Sequence, residues 1–186
     1  DQEAAFRAYI KAGGGFLGIH DAARAQPDSA WFTGLIGTRP GSNPEEVTEI
    51  TASGENPPNE TKEKLFDGRT DTKWLTFAST GWIAVKMAEP VAVTHYAMAS
   101  ANDFPGRDPK DWTLQGSQDG ANWTDLDRRT GEDFPQRFQT KQYEVDNTTA
   151  YQYYRLDITA NSGDPLTQLA ELQLFKGDPT APPDEQ

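Results

Sequence analysis

Residues 114–126 read LQGSQDGANWTDL, and the punctuation of this stretch decides the fold. A strand ends at Ser117, Asp119-Gly120 supplies a turn that tolerates positive φ, and Trp123 restarts the next strand. The same alternation repeats on either side. EVTEITA, GWIAVKM, THYAMAS and DWTLQGS precede the turn, and NWTDLD, KQYEVD, QYYRLDIT and AELQLF follow it. Turn residues separate every run, which predicts roughly eight strands in an antiparallel β-sandwich or jelly roll over residues 41–176, with no helix longer than two turns. Tyr153 and Tyr154 straddle one strand, so one faces inward and the other outward.

Upstream the character changes. Residues 3–12, EAAFRAYIKA, place Ala5, Phe6, Tyr9 and Ile10 at helical spacing, GGG stops the helix, and FLGIH and SAWFTGLIG follow as short apolar segments. This is an α/β beginning over residues 1–38, joined by a turn-rich linker at 39–43. His20 and Asp21 are adjacent, but neighbours on a strand point to opposite faces and make a poor acid-base pair. From residue 177 to 186 the chain is polar and proline-rich, the composition of a disordered tail.

The balance of 29 acidic against 17 basic residues, a formal charge of −12, repels phosphate backbones and anionic lipid surfaces, so nucleic acid is not an expected partner. Without cysteine there is no disulfide framework and no thiolate chemistry. No run approaches the ~18 apolar residues of a membrane span, and no membrane insertion is expected. The chain opens at Asp1 with neither a methionine nor an apolar signal core, which reads as a fragment or processed product.

Five segments, LFDGRTDTKW (65–74), GWIAVKMAEPVAV (81–93), RDPKDWTLQGSQDGANWTDL (107–126), YYRLDI (153–158) and LAELQLF (169–175), occur in an order that resembles the discoidin, or coagulation factor 5/8 type C, domain, whose bacterial members include family 32 carbohydrate-binding modules. The resemblance covers residues 44–176. It implies an all-β, jelly-roll, discoidin-like (galactose-binding-domain-like) sandwich that acts as a non-catalytic carbohydrate-binding module. Such a module targets a secreted or extracellular parent protein to glycans, here as a monomer. An adhesion or protein-interaction domain is the alternative, and a fragment of a sugar-active enzyme the third reading. FRAYIKAGGGFLGIHDA (6–22) followed by WFTGLIG (31–37) looks like part of a trehalose-utilisation (ThuA-like) domain.

In discoidin modules that bind calcium, the loop after the first strand and a Glu near the last strand form the cage. Carried onto this chain, the resemblance implies structural Ca²⁺ held by the side chains of Asp67, Thr72 and Glu171 and the carbonyls of Lys64, Arg69, Thr72 and Ala170. Ca²⁺ takes six to eight hard oxygens, which such a loop can supply, and Gly68 permits the tight turn. The competing reading is an Asx-turn in which Asp67 caps its own loop and Glu171 meets Lys64 or Arg69.

The resemblance also implies a neutral mono- or oligosaccharide ligand, bound by LTFAST, SANDFPGRDPKDW and ANSGDPLTQ at one end of the sandwich. Asn102, Asp103, Arg107, Asp108 and Asp164 offer donors and acceptors for vicinal hydroxyls, with Phe77 or Phe104 as stacking platform. The alternative for the middle loop is a local Arg107–Asp108 salt bridge with Pro109 fixing the turn. Leu75 and Thr76 stand where galactose-binding relatives often carry a His. Phe134 also reads as a loop aromatic with no core to fill, whereas Trp74, Trp82, Trp112 and Trp123 read as core.

Overall fold

The computed structural model describes residues 44–177. The α/β segment expected over 1–38, the linker at 39–43 and the tail from 178 lie outside the described residues.

Ten strands follow in chain order: β1 (Val47–Ala52), β2 (Trp74–Thr76), β3 (Gly81–Val91), β4 (His95–Ala99), β5 (Pro109–Ser117), β6 (Thr124–Arg129), β7 (Thr140–Glu144), β8 (Tyr151–Asn161), β9 (Thr167–Leu169) and β10 (Glu171–Phe175). A five-stranded sheet runs β1-β3-β8-β5-β6, a three-stranded sheet runs β10-β4-β7, and β2 pairs with β9. Every pairing is antiparallel, as the alternating runs predict. The only helical turns among the described residues are 3-10 segments at Lys62–Phe66 and Pro105–Arg107.

The eight runs read from the sequence correspond to eight of these strands, and the two additional ones, β2 and β9, are three residues each and wholly buried. The deciding hairpin forms between β5 and β6, with Gly120 at φ +72°; the second strand begins at Thr124, one residue after Trp123.

Alternation places Ile83, Val85 and Met87 of β3 and Tyr154, Leu156 and Ile158 of β8 on one inner face, against Tyr96 and Met98 of β4 and Leu172 and Leu174 of β10. Burying side chains of this size contributes about 1.5–3 kcal/mol each. Trp112 and Tyr143 meet edge to face at 5.3 Å, and Tyr96 stacks on Tyr143 at 4.9 Å. The polar tips are satisfied in a chain: Trp112 Nε1 donates to Tyr96 Oη at 2.8 Å, and Tyr96 Oη donates to Asp127 at 2.7 Å.

Two aromatic expectations are corrected. Phe134 is 4% exposed and belongs to the core, because its segment folds back over the β4-β7 side. Trp82 and Trp123 are only half-buried, and Trp123 is covered by the Arg155 guanidinium, 4.4 Å from its ring centre. Trp74 and Trp112 are core, as expected. Tyr154 is buried and Tyr153 lies on the outer face.

At the far ends of β4 and β10, Glu45 N–H donates to Leu174 O at 2.7 Å and Thr94 N–H to Phe175 O at 2.9 Å. The start and the end of the described residues therefore run side by side.

Candidate functional site

Three loops converge at one end of the sandwich. Thr76, the last residue of β2, pairs with Thr167, the first of β9, so the loop at 77–80 lies beside the loop at 162–166. Thr167 Oγ1 seals that neighbourhood by donating to Ala78 O at 2.9 Å. The loop at 100–108 is stitched to the same place: Asp164 N–H donates to Gly106 O at 3.1 Å, Ser162 N–H to Asp108 O at 3.0 Å, and Gln168 Nε2 to Asp103 O at 2.6 Å.

Within this cluster each candidate side chain has a defined setting. Phe77 is 68% and Phe104 55% exposed; Phe104 is held at φ 38°, a left-handed conformation uncommon for a non-glycine residue. Arg107 lies over the Phe104 ring, its guanidinium carbon 4.0 Å from the centroid, and reaches Asp164 Oδ1 at 3.4 Å. Asn102 is exposed, and among the described residues its side chain makes no hydrogen bond. Asp103 is half-exposed and receives Lys73 Nζ at 2.5 Å.

The local Arg107–Asp108 bridge does not form. Asp108 is 1% exposed; its carboxylate turns inward to the Arg137 guanidinium, which also donates to the carbonyls of Ala101, Asp103 and Phe134 at 3.3, 3.1 and 2.9 Å. Burial pushes the Asp108 pKa up, and Arg137 opposes that shift. Asp108 therefore braces the loop from beneath, whereas Asn102, Asp103, Phe104, Arg107 and Asp164 keep some exposure.

Two residues that the sequence reading missed, Lys73 and Arg137, hold the loop up. Lys73 is 8% exposed and is shared among Asp103, Gln168 Oε1 at 3.0 Å and Glu60 at 3.5 Å.

A second cluster forms around the loop at 67–72. Asp67 Oδ1 accepts from Arg69 N–H at 3.0 Å, the Asx-turn of the competing reading, and Thr72 Oγ1 donates to Asp67 Oδ2 at 2.8 Å. Glu171, at the start of β10, accepts from the backbone N–H groups of Gly68 and Arg69 at 3.1 and 3.2 Å. It thus meets the backbone of Arg69, whose guanidinium instead pairs with Asp71. Lys64 Nζ is 3.7 Å from Asp67, and Ala170 N–H is tied to Ala99 O at 2.9 Å. Glu171 is 6% exposed; burial, and secondarily the adjacent Asp67 charge, push its pKa up to about 7 against the two backbone hydrogen bonds.

No group of three or more His, Cys, Asp or Glu side chains suited to a metal occurs among the described residues. The set here is two carboxylates and a hydroxyl, with Arg69 O 3.4 Å from Thr72 Oγ1. All are hard oxygen donors, and a buried carboxylate beside a second one is an environment that a cation would relieve, so the residues fit Ca²⁺.

The family model described as F5/8 type C domain matches residues 49–172. A curated relative, the peptide-N(4)-(N-acetyl-β-glucosaminyl)asparagine amidase of Arabidopsis thaliana, is 41% identical over 104 residues, 52% of this chain, and the chain spans only 14% of that relative's length. Among solved structures, a family 32 carbohydrate-binding module of Clostridium perfringens in complex with GalNAc-β-1,3-galactose superposes with a TM-score of 0.61 at 18% identity, covering 68% of this chain and 94% of that one. Another module of that family, from a family 31 glycoside hydrolase of the same organism, gives 0.62 at 18%, covering 74% and 94%. A chitosan-binding module of a Paenibacillus chitosanase/glucanase gives 0.57 at 21%, covering 72% and 96%. At these identities the structural likeness is one of fold.

Proposed function

The chain belongs to the F5/8 type C domain family, and from that premise we propose that residues 44–177 form a non-catalytic carbohydrate-binding module that holds a parent protein on glycans. The observation that carries this reading is the convergence of three loops that set the exposed rings of Phe77 and Phe104 at the same end of the fold as Asn102, Asp103, Arg107 and Asp164. An apolar face with a few fixed donors and acceptors is what a sugar requires. The saccharide-bound relative and the chitosan-binding one share the fold, which supports the same use here.

The carboxylates of the loop site favour binding over catalysis. Asp103 is paired with Lys73 and Asp164 with Arg107, so neither is poised as an acid or base across a cleft. Ca²⁺ is proposed as a structural ion held by Asp67, Thr72 and Glu171 with carbonyls of Lys64, Arg69, Thr72 and Ala170. It would supply charge neutralisation, linking the first loop to the last strand. A parent protein that works on glycoconjugates outside the cell completes the reading, and the likeness to the amidase supports a glycan-linked setting.

A glycan array followed by titration tests the proposal. Sugar bonds replace water bonds at small net gain, so a Kd on the order of 0.1–1 mM is expected. Asn102→Ala, which removes no hydrogen bond within the described residues, weakens binding with the melting temperature unchanged. Arg107→Ala costs about 1.5–3 kcal/mol of affinity if the guanidinium bonds the ligand. An array without saturable sugar binding would favour the adhesion reading.

A further inference from the structure

We propose that the outer end of β3 and β8 carries a second saccharide site, built around Trp82. The inference rests on the reading of the module as sugar-binding but not on the loop site. The site is a groove of about 450 Å³ bounded by Ser53, Thr76, Thr80, Trp82, Asp157 and Thr159, with Ala78, Gly81 and Ile158 completing it. That volume falls within the range of small-ligand pockets.

Its construction follows from register. Trp82 on β3 and Asp157 on β8 are direct cross-strand partners, so their side chains emerge together on the same face of the sheet. Ile83 and Ile158, their neighbours in sequence, are 1% exposed and point into the core, which puts Trp82 and Asp157 on the outer face. Trp82 is half-buried there. Gly81 lets the strands pack closely here: a Cβ would lie 3.0 Å from Ser53 Oγ and 3.3 Å from the Thr76 methyl, tighter than ordinary contact. The Ser53 hydroxyl accepts the Trp82 backbone N–H at 3.0 Å, leaving its own proton to donate outward.

The lining selects the ligand class. Four hydroxyl side chains, one carboxylate and one indole surround the groove, and no Lys or Arg lines it. An anion would meet Asp157 and find no base in the lining. A metal ion would find one carboxylate among hydroxyls, too few hard anionic donors. An apolar segment would strand the hydroxyls. A neutral sugar satisfies all three features: one C–H face on the indole, vicinal hydroxyls to Asp157, and further hydroxyls to Ser53, Thr80 or Thr159.

The groove and the loop site share a wall. Ala78 and Thr80 line the groove, whereas Ala78 O is also tied to Thr167 at the base of the loop cluster. One module would then hold two saccharide units on a rigid spacing, and an oligosaccharide or a glycan-dense surface would bind with avidity.

The test is a titration of the full chain with GalNAc-β-1,3-galactose and with chitosan tetramer, followed by amide and indole NMR. The expected result is movement of the Trp82 indole Nε1–H and the Asp157 and Thr159 amides, which line the groove and lie outside the loop cluster, persisting in Arg107→Ala. Trp82→Ala weakens that binding about tenfold, and Asp157→Asn, which keeps the shape of the surface, weakens it about fivefold, with the loop shifts retained in both. Shifts at Asn102–Arg107 with the groove unmoved overturn the second site and leave the loop site standing. Shifts at the groove with the loops silent uphold the second site and overturn the first. Shifts at neither overturn both the groove and the reading on which it rests.

Discussion

Lys73 braces the candidate site from beneath. Its ammonium, in a side chain 10% exposed, is shared by Asp103, Gln168 and Glu60, so a single buried charge fixes the site loop to β9 and to the segment ahead of the first 3-10 turn. Lys73→Met would leave Asp103 without its cation. Because Asp103 is 35% exposed, water partly compensates, and the expected cost is about 1–3 kcal/mol in urea denaturation, with a parallel loss of sugar affinity as Asp103 and Phe104 loosen. In the sequence, Lys73 reads as one more loop charge before a tryptophan, since its partners at 103 and 168 lie 30 and 95 residues away. The exposed aromatics were legible because Phe77 and Phe104 sit among polar neighbours. Phe134 has the same local setting, yet its position is decided by the distant residues that cover it.

Between strands, the β5-β6 turn shows how local chemistry sets register. Ser117 Oγ accepts from Gly120 N–H at 3.0 Å, and Asp119 Oδ1 accepts from Ala121 and Asn122 at 2.9 and 2.8 Å. These bonds hold the Asp119 carboxylate well below its usual range. Gly120 adopts φ +72°, and a Cβ there would find ordinary contact with Tyr153 at 3.5 Å. Gly120→Ala should therefore cost about 1 kcal/mol through backbone strain and not through a clash, measurable as a lower denaturation midpoint with an unchanged m-value. Turn signals of this kind, with period-two alternation, made eight strands readable. β2 and β9 escaped because WLT and TQL are buried at all three positions, so neither alternates. Each is defined by the other, through the pairing of Trp74 with Leu169 and of Thr76 with Thr167, which exists only once the fold has closed.

For the molecule as a whole, the link between Glu171 and the loop at 67–72 joins segments more than a hundred residues apart in sequence. An ion bound there only in the folded state stabilises by mass action, about 2.7 kcal/mol at a hundredfold excess over Kd. Added Ca²⁺ should raise the melting temperature by about 5–10 °C and excess chelator should reverse it. Glu171→Gln should abolish that response, whereas a chelator-insensitive melting curve with no bound metal would leave the loop as a capped turn.

The pairing of Glu45 with Leu174 has an architectural consequence. β10 and β4 run antiparallel from the loop end, where Glu171 faces Ala99, to the far end, where Phe175 faces His95, so both ends of the described segment lie on the side away from the candidate ligand loops. The described segment is wired like a plug, with its two ends together at its back. Sequence spliced onto those ends need not cross the ligand-facing end, and a host chain can accept the unit in a surface loop without spreading its own ends.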